Sequence, residues 1–470
     1  MLFGLIGFTS IIHHLKSILN KIECSKLFLR ICLLIAISLR VAWLYAVSPE
    51  PVSDFRWYYE RGQDMAAGYG YSMQADDFWP ENISPAALTS DNGRRFTAYW
   101  PVGYPAFLGL LFFVFGPSIL TVQVANLFLY AGVLLLAYHT AKRLFQSELT
   151  GRLTLLFLAF YPDHIFYTTL LATEILFLFL LLLGILLLLL EMRLRWAVVT
   201  GVVWGVICLI KPQTMLIPVI VLAGQWLTDT LRNASTLNDK SKTSSGAQQG
   251  QVLRYLKYGG VLYLTIGLII LPWTFRNFRV FENFVFVSTN GGYNLLMGNN
   301  PYASGTYGAS ERLTEMLGDV ADERARDVRA RHLALTYIVD HPWQTVKRWP
   351  KKLWFLYRQE SVGLYWNQQG VAAKSNKIPF HLLMRIAQGY YALIITFFLV
   401  ALLFFLQIHL KARPIQMYSF PFLVVGIIVY FTFLSLLTFA DGRFHFPIIL
   451  WMIMLIGAGL TTLFGLIEKD

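Results

Sequence analysis

Apolar residues along the chain gather into long blocks, separated by short basic stretches or by long segments rich in aromatic residues. The clearest block, Ile175 to Leu190, runs through LFLFLLLLGILLLLL with neither the alternation of a strand nor the polar face of a surface helix. Such blocks read as lipid-crossing helices, since a helix needs about 20 apolar residues to cross the ~30 Å hydrocarbon layer. Crossings are predicted at 27–47, 118–140, 150–163, 165–190, 196–211, 213–228, 258–274, 386–408, 415–437 and 445–466. Pro212 and Pro218 interrupt the fifth and sixth of these. Pro101 to Phe115 would break the alternation of flanking charge if it crossed, so it is predicted as a re-entrant or interfacial helix on the outer side. The expected fold class is an all-α polytopic membrane protein of about 10–12 transmembrane helices, with two long outer loops carrying interfacial helices.

Composition agrees with that pattern. The 470 residues are 56% hydrophobic and 14% charged, where a soluble domain carries about 25% charged residues. The net charge of +12 would invite a nucleic-acid partner, but Lys and Arg are dispersed between apolar blocks and build no continuous basic face, so none is expected. Membrane topology accounts for the excess instead. Short loops rich in Lys and Arg belong on the cytoplasmic side, which places 16–30, Lys142 with Arg143 and Arg152, Arg193 with Arg195, Lys240 with Lys242, Lys411 with Arg413, and both termini inside. Met1 to Ile12 has no basic leader or small-residue cleavage site and reads as uncleaved interfacial sequence. Cys24, Cys32 and Cys208 lie in the N-terminal segment or within apolar blocks, so no extramembrane disulfide is expected.

The organisation that follows has an N-terminal transmembrane module over 1–228, with a first outer loop at 48–100. A linker at 229–257, Ser-rich and polar, is expected to be disordered and cytoplasmic. A C-terminal module over 258–470 contains the second outer loop, 275–384. Both outer loops are rich in Trp, Tyr and Gly and should fold against the membrane. In the second, opposite charges at helical spacing predict a helix over 321–339, and Trp343 to Tyr357 has the mixed aromatic and basic composition of a helix at headgroup level.

The first outer loop carries SDFRWYYERGQDMAAGYGY and then AYWPVGYPAFLGLLFFVFG. Asp54 is the first carboxylate after the first crossing, beside Trp57, Tyr58 and Tyr59; there it can act as a general base on a hydroxyl or simply cap the helix that starts at Phe55. With YPDHIFYTTLLATE at 161–174, LIKP ending at Pro212, PWTFRN at 272–277 leading into NGGYNLLMGNNP, and DGRFHFP at 441–447, the chain resembles the C-type (GT-C) membrane glycosyltransferases, in the branch of protein O-mannosyltransferases and aminoarabinose transferases. The specific signal is the order of these pieces along nearly the whole chain.

That resemblance implies a sugar taken from a polyprenyl-phosphate donor on the non-cytoplasmic face, with Asp54 as catalytic base and Asp163 as a second acidic residue, His164 beside it. Members with a tandem acidic pair in the first loop are not matched, since Phe55 and Arg56 follow Asp54; a divalent cation is left open on that ground, and no zinc, haem or nucleotide signature is present. An anionic lipid phosphate at the headgroup level calls for cations at the outer ends of crossings. Arg276 and Arg443 are placed there and suit a bidentate clamp; both also read as arginines snorkelling to water. Lys211 can join them or cap its helix. Tyr58, Tyr59 and Asn277 complete the expected substrate-binding set. Glu174 is expected about three turns into an apolar crossing, where a carboxylate costs roughly 2.5–3.5 kcal/mol and so needs a partner, giving it a site-supporting role. The expected activity is inverting transfer of a sugar to a glycolipid, glycan or protein hydroxyl, in a bacterial inner membrane with the site outside. The alternatives are a polysaccharide polymerase or ligase, and a transporter or flippase of lipid-linked sugars.

Overall fold

The computed structural model describes residues 16–47, 49–74, 93–236, 245–308, 310–318, 320, 322–371, 379–411 and 420–467. Its first half contains helices α1 (Phe28–Ala46), α2 (Asp54–Ala66), α3 (Gly103–Phe115), α4 (Ile119–Phe145), α5 (Glu148–Ala159), α6 (Pro162–Phe166), α7 (Thr173–Leu188), α8 (Leu194–Ile210) and α9 (Ile217–Thr236). Its second half contains α10 (Ser245–Phe281), α11 (Gly291–Gly298), α12 (Ser310–Leu317), α13 (Glu323–Asp340), α14 (Pro342–Lys347), α15 (Trp349–Tyr357), α16 (Val362–Val371), α17 (Phe380–Lys411), α18 (Phe420–Leu437) and α19 (Phe446–Ile467). Among the described residues the sheet is one short antiparallel ladder, β1 (Ser72–Met73) with β2 (Arg95–Phe96).

Each of the ten predicted crossings contains a helix. Among the described residues five helices are long and apolar enough to cross a membrane: α1, α4, α10, α17 and the 442–465 stretch that includes α19. The 165–190 crossing is broken. The stretch 162–169 meets α7 at a bend of 117°, and the carbonyls freed at the break are taken up by side chains of α4: Asn126 Nδ2 donates to Leu170 O at 3.0 Å and Gln123 Nε2 to Thr169 O at 3.1 Å. Irregular backbone is tolerated in a membrane protein where neighbouring groups satisfy it in this way. At 12 residues, α5 reaches roughly 18 Å, short of the ~30 Å layer, and most of it is buried in the bundle.

One apolar core joins residues from Cys32 to Ile456 and so draws on both halves of the chain. Phe446 to Ile456 of α19 are buried almost throughout, as expected of a helix apolar on every side. Arg40 of α1 is also buried; it stacks on Tyr130 at 3.9 Å and donates to Ala159 O at 3.1 Å, supplying a donor to the C-terminal end of α5. The segment expected as a disordered linker is partly helical: α9 continues to Thr236 and α10 begins at Ser245, with 237–244 outside the described residues. Pairing extends the two helices beyond their apolar parts, since Tyr255 Oη donates to Asp229 at 2.8 Å and Arg254 lies 3.4 Å from the same carboxylate.

The two long loops, 48–100 and 275–384, are fastened to each other by a buried carboxylate. Glu323, at the start of α13, accepts from Ala98 N at 2.7 Å, Thr97 Oγ1 at 2.8 Å and Thr289 Oγ1 at 3.3 Å. Lys352 of α15, expected at headgroup level, is instead buried; its ammonium donates to Leu436 O at 2.8 Å and to Thr438 O, where the carbonyls at the end of α18 need donors.

Burial pushes the Glu323 carboxyl up to about 7, although its three donors and Arg276 pull the other way. The folded state therefore holds a proton that the unfolded state has released between about pH 4.5 and 7. The stabilisation is full below that window and is lost as pH rises through 7, by roughly 3 kcal/mol at most. Glu323→Gln should melt with a flatter pH dependence across pH 4.5–7 than the unsubstituted protein. Parallel melting curves for the two would exclude Glu323 as the titrating tie.

Candidate active site

Four charged side chains far apart in sequence meet at one end of the bundle. Arg443 is the centre. Its Nε donates to Glu174 Oε1 at 2.6 Å and its Nη2 to Glu174 Oε2 at 3.3 Å, while Nη1 donates to Asp54 Oδ2 at 2.9 Å. Lys211 Nζ lies 3.7 Å from Glu174 Oε1. Glu174 is 1% exposed and Asp54 30%, so the cluster grades from a buried carboxylate to one that reaches the surface.

Local structure explains each position. Arg443 stands in a 3₁₀ turn, Gly442–His445, whose N-cap Asp441 accepts from Arg443 N at 2.8 Å. Glu174 is not three turns into a span, as the uninterrupted crossing implied: after the 117° bend the helix restarts at Thr173, which puts Glu174 in its first turn. A helix N-terminus favours a carboxylate, so the break relieves part of the burial cost. Lys211 follows the last residue of α8, and its ammonium sits 5.0 Å over the Phe177 ring. Asp54 opens α2, where Ser53 is the N-cap and makes no side-chain capping bond; Asp54 does not cap the helix and its carboxylate is turned to Arg443.

Packing holds α2 in place. A Cβ at Gly62 would come within 2.7 Å of Leu108, so only glycine lets α2 approach α3 this closely. Trp57 is fully buried and donates to Tyr71 Oη at 3.1 Å, and Tyr71 in turn donates to Trp100 O at 3.0 Å. Tyr58 packs edge-on against Tyr104 at 5.3 Å and faces Asp54, Arg443 and Glu174 electrostatically; burial and the Asp54 charge push its hydroxyl well up. Tyr59 packs on Phe112 at 5.3 Å.

Other residues singled out in the sequence do not join this cluster. Arg276 is committed to backbone, donating to Tyr71 O and Thr97 O, both at 2.8 Å, and it stacks over Trp273 at 4.7 Å. Asn277 is buried and its amide reaches Val285 O and Val287 O, so PWTFRN clasps the chain that returns from α10. Asp163 is buried, accepting from Gly363 N at 2.9 Å. His164 is also fully buried, with Nδ1 2.8 Å from Tyr130 Oη and the ring 4.1 Å from Phe446.

Beside Asp163 lies a second polar group that sequence reading did not single out. His445 pairs through Nε2 with Glu360 and through Nδ1 with Leu356 O at 2.6 Å, and it is stacked against Tyr391 at 5.2 Å. His445 lies two residues beyond Arg443 in the DGRFHFP stretch and could have been found there; Glu360, alone between two helices, carries no sequence signal. Among the described residues no three His, Cys, Asp or Glu side chains gather as they would around a metal ion. Asp54 and Glu174 share the Arg443 guanidinium, so a cation already stands between them, and the arrangement does not fit a divalent ion bridging that pair.

No family model matches the sequence, and no curated protein matches it significantly. The fold does have solved counterparts. It superposes on the Archaeoglobus fulgidus oligosaccharyltransferase in its complex with Zn and sulfate, with TM-score 0.52, 12% identity, and 94% of this chain matched to 50% of that one. The apo form gives TM-score 0.51 at 12% identity, over 94% of this chain and 51% of that one. The same organism's oligosaccharyltransferase AglB, in complex with an inhibitory peptide and a dolichol-phosphate, gives TM-score 0.51 at 11% identity, over 94% and 50%. The chain thus spans about half the length of these proteins and shares with them a membrane-protein fold.

Proposed function

We propose that the chain is an integral membrane glycosyltransferase that moves a sugar from a polyprenyl-phosphate donor to an acceptor hydroxyl, with Asp54 as the base. The observation that carries this reading is the Asp54–Arg443–Glu174–Lys211 cluster, in which a partly exposed carboxylate stands beside two cations anchored from below. The dolichol-phosphate bound to the archaeal enzyme of the same fold supports a lipid-phosphate donor here. The acceptor class on this reading is a glycolipid, glycan or protein hydroxyl, met on the non-cytoplasmic side.

Chemically, the acceptor O–H gives its proton to Asp54 while its oxygen forms a bond to the anomeric carbon. The bond from that carbon to the phosphate oxygen breaks, and the lipid phosphate leaves with the electron pair. One displacement inverts the anomeric centre. A phosphate leaves readily, so a cation rather than a general acid is what the departing group needs. Arg443 and Lys211 supply it. Glu174 grips Arg443 along the Nε–Nη2 edge, which fixes the direction of Nη1 toward Asp54. An arriving phosphate competes for Nη1 and leaves Asp54 free to accept a proton. Arg276, held by carbonyls, serves the outer loops and not the phosphate on this reading.

Two outcomes test the proposal. Purified protein given a panel of polyprenyl-phosphate sugars should release free polyprenyl phosphate, and Asp54→Asn should lower turnover by about 10²–10⁴-fold with little change in donor affinity. Unchanged turnover in that variant removes Asp54 as the base. Movement of lipid-linked sugar across a vesicle without any release of lipid phosphate would replace the enzyme with a flippase.

Glu174 is expected to act through Arg443. Removing one partner of a buried ion pair costs about 3–5 kcal/mol, because the other charge is stranded. Glu174→Gln should therefore lower the melting temperature and, in the folded fraction, weaken donor binding. Arg443→Lys keeps the charge but lacks the fork, and should recover only part of what Arg443→Ala loses. Wild-type melting and donor affinity in Glu174→Gln would show that the pairing is incidental.

A further inference from the structure

A cavity of about 1080 Å³ opens at the other end of α7 from Glu174, lined by Leu186, Leu187, Leu189 and Leu190 and by Lys142, Arg143, Arg193 and Arg254, with Glu191 and Asp229 as its two carboxylates. The two ends of α7, 16 residues long, are roughly 24 Å apart, so this cavity lies at the opposite end of the bundle from Asp54, where the loop charges predict the cytoplasm. Its rim is built. Arg143 Nε donates to Leu189 O at 2.8 Å and Gln225 Nε2 to Leu188 O at 3.0 Å, which fixes the last carbonyls of α7. Among the described residues the terminal nitrogens of Arg143 have no hydrogen-bond partner. Lys142 is paired with Glu148 at 2.7 Å and is about half exposed; Arg193 with Glu191 and Arg254 with Asp229 are more than half exposed on the arginine side, and exposed pairs of this kind contribute ~0–1 kcal/mol.

We infer that this cavity holds the phosphate headgroup of an anionic phospholipid of the adjacent leaflet, with the lipid chain against Leu186, Leu187, Leu189 and Leu190. The chemistry is complementary on both counts. An apolar floor alone would accept any acyl chain, and a basic rim alone would accept any anion; the two together select an amphiphile with a net negative head. Arg143 offers a phosphate the free edge of its fork, and Lys142, Arg193 and Arg254 add charge at the headgroup level, where each cation favours an anionic lipid by several-fold. The chain's own segment 237–244 is a poor occupant, since it carries Lys240 and Lys242 against one Asp239. The site is independent of the Asp54 chemistry and stands whether or not the chain transfers sugars.

Retention of added phosphatidylglycerol, phosphatidylcholine and inorganic phosphate by the purified full chain in a neutral detergent tests this, read by native mass spectrometry. Phosphatidylglycerol should be retained at least tenfold better than phosphatidylcholine, and inorganic phosphate should not displace it. The double variant Arg193→Gln with Arg254→Gln, at exposed positions, should lower phosphatidylglycerol retention by about tenfold or more, with the lipid-free melting temperature unchanged. Equal retention of the two lipids, full retention in the double variant, or displacement by inorganic phosphate at equal concentration would each overturn the assignment. Arg143→Lys gives a second reading: it keeps the charge, so its retention should fall between that of the unsubstituted protein and the double variant, and full retention would count against the fork.

Discussion

A carboxylate that is 1% exposed inside an apolar bundle cannot stay there ionised unless a cation meets it with good geometry. Glu174 meets Arg443 along two hydrogen bonds, and the remaining nitrogen of that guanidinium reaches Asp54. This single guanidinium joins the first outer loop, the restart of a broken helix and the turn before the last helix, which are separated by 269 and 389 residues in the pairings it makes. The site therefore exists only when the whole bundle is closed. Nothing short of the folded chain brings Asp54 within reach of a fixed cation.

The outer loops obey a related constraint. The second has a small apolar core of its own around Leu296, Leu313, Leu317 and Ala330, and charged side chains fasten the loops to each other and to the bundle. Arg276 binds two carbonyls, Glu323 binds one backbone N–H and two hydroxyls, and Lys352 binds the carbonyls at the end of α18. The aromatic chain from Trp57 through Tyr71 to Trp100 then carries that order to α2. Asp54 is thus aimed by contacts that begin with Glu323 in another loop. A helix lying free on the membrane surface would not hold that carboxylate in one orientation.

What was legible in the sequence follows from the range of each interaction. Crossings are local patterns, and every predicted one contains a helix. Asp54 stood out as the first carboxylate after the first crossing, among aromatic residues, and Arg443 as a cation in the DGRFHFP stretch at the start of the last crossing. The break before Thr173 did not, because the residues that permit it, Gln123 and Asn126, are on another helix and act on carbonyls, which have no letter in a sequence. The same blindness hid the partners of Arg276, whose acceptors are the carbonyls of Tyr71 and Thr97. The segment 229–257 misled in a different way: its polar, Ser-rich composition resembles a linker, yet Asp229 joins Tyr255 and Arg254 across 26 and 25 residues and carries helix beyond the apolar part.

Charge balance at the Asp54 cluster links its stability to its chemistry. Two carboxylates and two cations balance in formal charge, which lowers the cost of holding the cluster in an apolar setting. A lipid phosphate brought to the same place adds negative charge that the two cations must then share three ways. Glu174, buried and held by two bonds from Arg443 with Thr173 and Lys211 beside it, is the harder partner to displace. Asp54 is 30% exposed, with one bond from Arg443 and a long one of 3.4 Å from Ser53 Oγ, so it is the one that yields. On the proposed reading, the same asymmetry of burial selects which carboxylate is released to react, and leaves Asp54 as the one on the exposed side.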